Sequence, residues 1–403
     1  MILDRVTVVE PHHPVTLSRK GSKMDFQLSK EHKLQQELFR RFAEAEIQPL
    51  AHEMDETEIY SMELVEKMQA LGFFGIPFPK KYGGGGADTL AYVLCIEEVS
   101  KVDASTGITL SVHTSLCCTS INDFGNEEQK EKFLRPLIDG RKVGCFSLTE
   151  PNAGSDASGI QTTAVLEDDE YVINGSKVFT TNSGFADTFL VFAYTDKAMG
   201  SDGISAFIVP RETPGLSVSD NIPRMGIRAA SNCVVTFDSV RVPVGNLLRR
   251  EGVGFEIAMH ALDGGRIGIG AQAVGIAQGA FNEAFKYVKE RKQFGRPINA
   301  FQNTRFKLAE MQTKIDAARL LVYRAAWLKD NSQEYGMEAA MCKLYASDIA
   351  NDVTRTCVQL MGGYGYSREY PVERMMRDAK ITEIYEGTSE VMKMVIYSSL
   401  KAK

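Results

Sequence analysis

The sequence predicts an α+β protein in three parts, a helical amino-terminal region, a central β region and a helical carboxy-terminal region. Three observations carry this. Apolar residues recur at helical spacing up to about residue 144, β-branched and aromatic runs broken by turn residues fill residues 145–252, and the helical period returns after Gly254. With 403 residues the chain exceeds what one hydrophobic core usually organises, so two or three domains with shared interfaces are expected.

In chain order, Leu34, Leu38, Phe42 and Ile47 follow helical spacing with charged residues between them, the pattern of a half-buried helix. The helical texture breaks at Tyr82-Gly83-Gly84-Gly85-Gly86 and around Asp123 to Asn126. The glycine run lacks the Lys-Ser/Thr and the preceding strand of a phosphate cradle, so it reads as a plain turn. Tyr171-Val172-Ile173, Asn174-Gly175 and Lys177 to Thr181 read as a hairpin turned at Asn-Gly. Thr188 to Tyr194, Ile204 to Val209 and Cys233 to Phe237 add strands rich in β-branched and aromatic residues. Beyond Gly254, helical stretches over about 255–291, 299–330, 336–362 and 389–400 suit an antiparallel bundle. Trp327 and the methionines of these helices read as core, where Met fills gaps.

Lys plus Arg at 46 against Asp plus Glu at 52 gives a formal net charge of -6, which repels a nucleic-acid backbone, and no basic run offsets it. The seven cysteines form no Cys-x-x-Cys pair, which argues against a disulfide frame and a zinc site, so no metal is expected. No apolar stretch has the length to cross a bilayer, so no membrane insertion is expected. Residues 1–23 fail as a mitochondrial presequence, because Asp4 and Glu10 interrupt them and Pro11 and Pro14 break any amphipathic helix. A cytoplasmic, prokaryotic protein is the expectation.

The chemistry points to one carboxylate. Glu386, in Ile384-Tyr385-Glu386-Gly387-Thr388-Ser389, lies in a glycine-containing loop between two helical stretches, free to be aimed at a ligand. Two further glycine-bearing polar loops accompany it, Gln359-Leu360-Met361-Gly362-Gly363-Tyr364-Gly365 and Leu148-Thr149-Glu150-Pro151-Asn152-Ala153-Gly154-Ser155-Asp156. Together, in this order and spacing, they resemble the acyl-CoA dehydrogenase family of flavoproteins, with the greatest likeness to short-chain, butyryl-CoA-type members. The resemblance runs from Met24 to Lys403, and Met24-Asp25-Phe26 is similar to the usual start of the family.

This resemblance implies an acyl-CoA dehydrogenase-like fold, divided into an extension (1–23), an α-helical domain (24–144), a β domain (145–252) and a four-helix-bundle domain (253–403), assembled as a homotetramer. It implies FAD as cofactor, because no side chain accepts the hydride that acyl-CoA dehydrogenation releases. Glu386 takes the role of the base for the α proton, and the position of Gly265, where some relatives carry their base, has no carboxylate here. The implied flavin contacts are Phe146, Leu148, Thr149, Ser155, Phe179 (Trp in many relatives) and Thr181, with Thr388, Ser389 and Glu390 opening the last helix. Arg291, Phe294, Gln302, Gln359, Gly362 and Gly363 match positions that reach a neighbouring subunit's FAD. Ser155, Asp263, Arg266 and Gly387 fall to the acyl-CoA, the family also holding the thioester oxygen through the backbone N–H of the catalytic glutamate, as an oxyanion hole does. Filling of the pocket by the acyl chain is expected to desolvate Glu386 and raise its pKa. The implied partner is an electron-transfer flavoprotein.

Several activities fit these residues. The leading one is α,β-dehydrogenation of a short-chain acyl-CoA to the trans-2-enoyl-CoA. The same site run backwards is an enoyl-CoA reductase, for crotonyl-, acryloyl- or aryl-propenoyl-CoA, with a bifurcating electron-transfer flavoprotein. An acyl-CoA oxidase would differ in letting oxygen reach reduced flavin, and a non-catalytic flavoprotein scaffold would have no use for Glu386.

Overall fold

The computed structural model describes residues 27–401. The extension expected at 1–23 and the start Met24-Asp25-Phe26 lie outside the described residues. The first helices are α1 (Lys30–Phe42), α2 (Gln48–Thr57), α3 (Met62–Ala70), α4 (Thr89–Ser100), α5 (Ala104–Ser111) and α6 (Thr119–Phe124), followed by the short α7 (Glu127–Gln129) and α8 (Arg135–Ile138). Ser29 caps α1 by accepting from the His32 N–H at 3.1 Å. Phe42 and Ile47 are buried as the spacing predicts, but Leu34 and Leu38 are 72% and 47% exposed. The inward face is carried instead by Phe39 and Phe42, both edge-on to Phe73. The wider turn Ala43–Ile47 between α1 and α2 shifts the period further along. The glycine run is a turn: Gly85 N–H donates to Gly75 O and Gly86 N–H to Phe78 O, both at 2.8 Å.

The central strands are β1 (Gly144–Ser147), β2 (Thr163–Glu167), β3 (Glu170–Thr181), β4 (Thr188–Tyr194), β5 (Ile204–Pro210), β6 (Leu216–Val218) and β7 (Asn232–Pro243). β1 runs parallel to β4, β4 antiparallel to β5, and β2, β3, β7 and β6 form an antiparallel run. The expected Asn-Gly hairpin is corrected. β3 passes straight through Asn174-Gly175, and the register against β7 slips there between Ile173 and Gly175, a β-bulge. The turn comes earlier, between β2 and β3. Asn174 Oδ1 accepts from the Ser239 N–H at 2.8 Å across the bulge, and a Cβ on Gly175 would lie 2.4 Å from Thr162 Oγ1.

The last region holds α9 (Gly254–Glu290), the two-residue strands β8 (Lys292–Gln293) and β9 (Arg296–Pro297), α10 (Gln302–Asp330), α11 (Gly336–Met361), α12 (Gly363–Tyr366), α13 (Val372–Ile381) and α14 (Ser389–Lys401). The long α9, α10 and α11 pack on one another, α13, a helix that the period did not reveal, joins the bundle against α9 and α11, and α14 lies against α11. Gln359 to Gly365 is not a loop throughout: α11 continues through Met361, and the chain breaks only at Gly362, φ +62°. Trp327 is half-buried rather than core. The methionines divide, with Met311, Met361 and Met392 buried and Met394 exposed at 64%. One apolar core joins the first helices to the bundle through α4 and α9, and this seam positions the site. All seven cysteines are free and buried, and no helix among the described residues is long and apolar enough to cross a membrane.

Candidate active site

Glu386 sits on the connection from α13 to α14. That connection is pinned from α11, where Ser347 Oγ donates to Thr382 O at 2.8 Å and Asn351 Nδ2 to Ala379 O at 3.1 Å. Ser389 N–H closes it by donating to Glu383 O at 2.9 Å. At its apex Glu386 has φ +52° and Gly387 φ +100°. The left-handed conformation is natural for Gly387 but costs a glutamate of order 1 kcal/mol, and it persists because surrounding contacts hold it. One such contact is Lys343 of α11, whose Nζ donates to Gly387 O at 2.5 Å.

The carboxylate points inward, and both its oxygens are buried without a hydrogen-bond partner. Burial pushes its pKa up to about 7 against the opposing charges of Lys343 and Arg266. The fold by itself thus already desolvates this group, before any contribution from a bound acyl chain. Across from it runs α9. A Cβ on Gly265 would lie 2.1 Å from Glu386 Oε2 and 2.9 Å from Leu116 Cδ2, so the missing side chain at this position is what admits the carboxylate. One turn further, a Cβ on Gly268 would lie 2.6 Å from both Tyr92 Oη and Ser111 Oγ. Tyr92 donates to Ser111 at 3.0 Å, and beyond them Gln272 accepts from the Tyr385 hydroxyl and donates to Ala104 O at 2.8 Å. Polar side chains thus pack against α9 within two turns of the point where Glu386 meets it.

Arg266, 5% exposed, pairs with Asp263 on the same helix, and burial raises the Asp263 pKa. Arg266 is the enclosed half of the pair, the Asp263 side chain being 34% exposed, and Arg266 Nε is buried with no partner.

Phe146, Leu148 and Thr149 come from β1 and the loop after it, beside Phe179 and Thr181 of β3. Val178 N–H donates to Thr149 O at 2.8 Å, which joins the two segments. Phe179 is 58% exposed at φ +56°, and Thr181 Oγ1 accepts from Asn232 Nδ2 at 3.1 Å. Ser155 is exposed further along the same loop. A buried ion pair sets the loop's path: Lys177 Nζ donates to Glu150 Oε1 at 2.8 Å and to Leu148 O at 3.1 Å, while Glu150 also accepts from the Thr162 N–H at 3.0 Å. Thr388 and Ser389 open α14, where Thr388 Oγ1 accepts from the Val391 N–H at 3.3 Å. Ser389 Oγ is buried and unpartnered, and Glu390 is exposed.

Arg291, Phe294 and Gln302 stand apart from Glu386, on the exposed β8–β9 hairpin and the start of α10. Phe294 is 94% exposed. The Arg291 guanidinium lies 5.6 Å over the Tyr364 ring, which ties this group to Gln359, Gly362 and Gly363.

The residues present fit a flavin. Two threonine hydroxyls beside the apolar Phe146, Leu148 and Phe179 suit a flat heteroaromatic ring with polar edges. The orphaned buried Ser389 Oγ and the strained, solvent-facing Phe179 are groups that a bound ring system would satisfy and cover.

Sequence reasoning missed Tyr92, Ser111, Gln272, Lys343 and Lys177. For Lys343 a signal existed, since helical spacing puts it on one stripe with Ala339, Ala346 and Ala350, all buried. Tyr92 and Ser111 meet only through tertiary packing.

Three family models of acyl-CoA dehydrogenases match the chain: the N-terminal domain at residues 29–141, the middle domain at 145–240 and the C-terminal domain at 252–401. A short-chain-specific acyl-CoA dehydrogenase of Clostridium acetobutylicum is 56% identical over 373 residues, covering 93% of this chain and 98% of that protein. An NADH-dependent acryloyl-CoA reductase of Anaerotignum propionicum is 47% identical, covering 93% and 95%. A chain from a structure described as the electron-transferring flavoprotein of Acidaminococcus fermentans, bearing on flavin-based electron bifurcation, superimposes with a TM-score of 0.93 at 52% identity, covering 94% of this chain and all of that one.

Proposed function

Since the chain belongs to the acyl-CoA dehydrogenase family, we propose that it catalyses α,β-dehydrogenation of a short-chain acyl-CoA to the trans-2-enoyl-CoA and passes the electrons to an electron-transfer flavoprotein. The observation that carries this reading is the Glu386 carboxylate, buried and unpartnered in the gap left by Gly265, with a pKa of about 7. A base poised near neutrality is suited to taking the α proton of a thioester. FAD supplies the two-electron acceptor for the β hydride. The electron pair of the α C–H bond becomes the new double bond, and the α proton ends on Glu386.

Phe146, Leu148, Thr149, Ser155, Phe179 and Thr181 hold the flavin, with Thr388, Ser389 and Glu390 at the start of α14. Arg291, Phe294, Gln302, Gln359, Gly362 and Gly363 serve the FAD of a neighbouring subunit in a homotetramer. Asp263, Arg266 and Ser155 meet the coenzyme A arm, and backbone N–H groups at Glu386 and Gly387 meet the thioester. The likeness to a short-chain-specific acyl-CoA dehydrogenase over nearly its whole length supports a short acyl chain. Domain limits at 24–144, 145–252 and 253–403 belong to the same proposal, as does a cytoplasmic setting, which the seven free thiols support.

A second reading has a specific support. The likeness to an acryloyl-CoA reductase favours the same site working towards the saturated thioester, Glu386 then donating the α proton.

Anaerobic titration of the flavin with butyryl-CoA and crotonyl-CoA tests both readings. Bleaching by butyryl-CoA that is lost in Glu386→Gln is the expected result. Normal turnover by Glu386→Gln would sink the assignment of the base, and a length series peaking at long chains would sink the short-chain assignment.

A further inference from the structure

We propose that Lys343 is the positioning residue of the Glu386 loop, its ammonium fixing the Gly387 carbonyl and presenting a buried positive charge to the Glu386 carboxylate. This rests on the reading of Glu386 as the base. Lys343 has no exposed surface, and burying an ammonium is expensive unless something in the fold uses it. It donates to Gly387 O at 2.5 Å and makes no direct ion pair among the described residues. Its bond lands on Gly387, the residue after the base, directly beside the Glu386 backbone held at φ +52°. The loop therefore has an anchor at the point of greatest backbone strain.

The charge matters as well as the bond. The titratable groups facing Lys343 and Glu386 are Arg266 from α9, Tyr92 from α4, Glu383 and Tyr385 from the loop itself, Asp348 from α11, and Glu390 from the start of α14. Arg266 is already paired with Asp263. Lys343 is thus the cation facing Glu386 that no carboxylate neutralises by direct contact. Burial lowers its own pKa to about 8, and the Glu386 charge opposes that loss. The two groups support each other's ionised forms across the loop without touching, which leaves both Glu386 oxygens open to substrate. A neutral donor would anchor Gly387 equally well but would not do this.

Three variants separate the roles. Lys343→Met removes bond and charge, Lys343→Gln keeps a donor without charge, and Lys343→Arg keeps both. Two readouts are followed in the FAD-loaded enzyme: the acid limb of kcat/KM against pH, and the carboxyl-carbon NMR titration of glutamate-labelled protein, with Glu386 identified by the resonance missing from Glu386→Gln. In the Met and Gln variants both should move to higher pH by about one unit. That is a roughly fivefold loss of ionised base at pH 7 with KM little changed, while Arg restores the native midpoint. Lys343→Gln carries the test if Lys343→Met does not fold. A Glu386 titration that stays in place or moves down in the uncharged variants overturns the inference. An inactive Glu386→Gln beside an unshifted Lys343→Gln overturns the role of Lys343 alone, whereas an active Glu386→Gln overturns the underlying reading.

Discussion

Glu386 is a residue whose environment works against its own charge, and this has a consequence for stability as well as for catalysis. A carboxylate held at a pKa of about 7 in the folded chain and near 4.5 in the unfolded one binds its proton more tightly when folded. Between those values the folded state keeps a proton that the unfolded state has lost, so folding loses free energy as pH rises through this window. Above pH 7 the full penalty applies, about 3 kcal/mol from the linkage relation, and below pH 4.5 it vanishes. Glu386→Gln should therefore raise the melting temperature at pH 8 and leave it almost unchanged at pH 4.5, while abolishing turnover at both. Differential scanning calorimetry at the two pH values checks this. An equal effect at both would mean that packing, not ionisation, separates the two side chains. A substitution that stabilises a protein and silences it is the signature of a residue kept for chemistry at the expense of the fold.

At the scale of the element, α9 carries the same conflict. Glycine inside a helix costs about 1 kcal/mol relative to alanine, so propensity alone predicts that Gly265→Ala is stabilising. The contact decides otherwise for function, since the new Cβ would lie 2.1 Å from Glu386 Oε2 and the carboxylate, with or without the loop that carries it, would have to move. Displacement of a base by this order costs about 100-fold in rate, so Gly265→Ala should lose that much in kcat/KM with its FAD retained. Activity within twofold of the native enzyme would show that the loop gives way freely. Strand β3 offers the parallel case in a sheet. Gly175→Ala sets a Cβ 2.4 Å from Thr162 Oγ1 and should cost about 1–3 kcal/mol by urea denaturation. Asn174-Gly175 also marks where local pattern reading stops. The same dipeptide suits a two-residue turn and a bulge, and what selects the bulge is the pairing of β3 with β7, some sixty residues further along the chain. The α–β–α texture, the strand runs Thr188 to Tyr194, Ile204 to Val209 and Cys233 to Phe237, and the Glu386 loop were legible because they depend on period, composition and nearby glycine. Tyr92 and Ser111 were not, because their burial is decided by helices far apart in sequence that meet only in the folded molecule; the stripe of Ala339, Ala346 and Ala350 marks Lys343 as buried, but its bond to the Gly387 carbonyl is made only where α11 meets the loop.

At the scale of the whole molecule, the last helix presents an exposed apolar stripe. Met394, Tyr397 and Leu400 recur every three residues at 64%, 59% and 54% exposure, a spacing that puts them near one face. Phe294 and Tyr366 stand out further still, at 94% and 84%. Apolar area of this kind marks protein–protein contact, and self-association into the proposed homotetramer would cover it. If Arg291, Phe294, Gln302, Gln359, Gly362 and Gly363 then serve a neighbour's FAD, assembly and cofactor binding are one linked equilibrium, and each must strengthen the other. Tyr397→Asp combined with Leu400→Asp should lower the mass measured by light scattering and, in the same samples, weaken FAD retention. Added FAD should shift the variant back towards the tetramer. The reciprocity is the discriminating part, because a merely damaged surface would lose mass without responding to FAD. A dissociated variant that kept its full complement of FAD would show instead that each subunit holds its cofactor alone, and would remove the exposed hairpin and the Gly362–Gly363 break from the site.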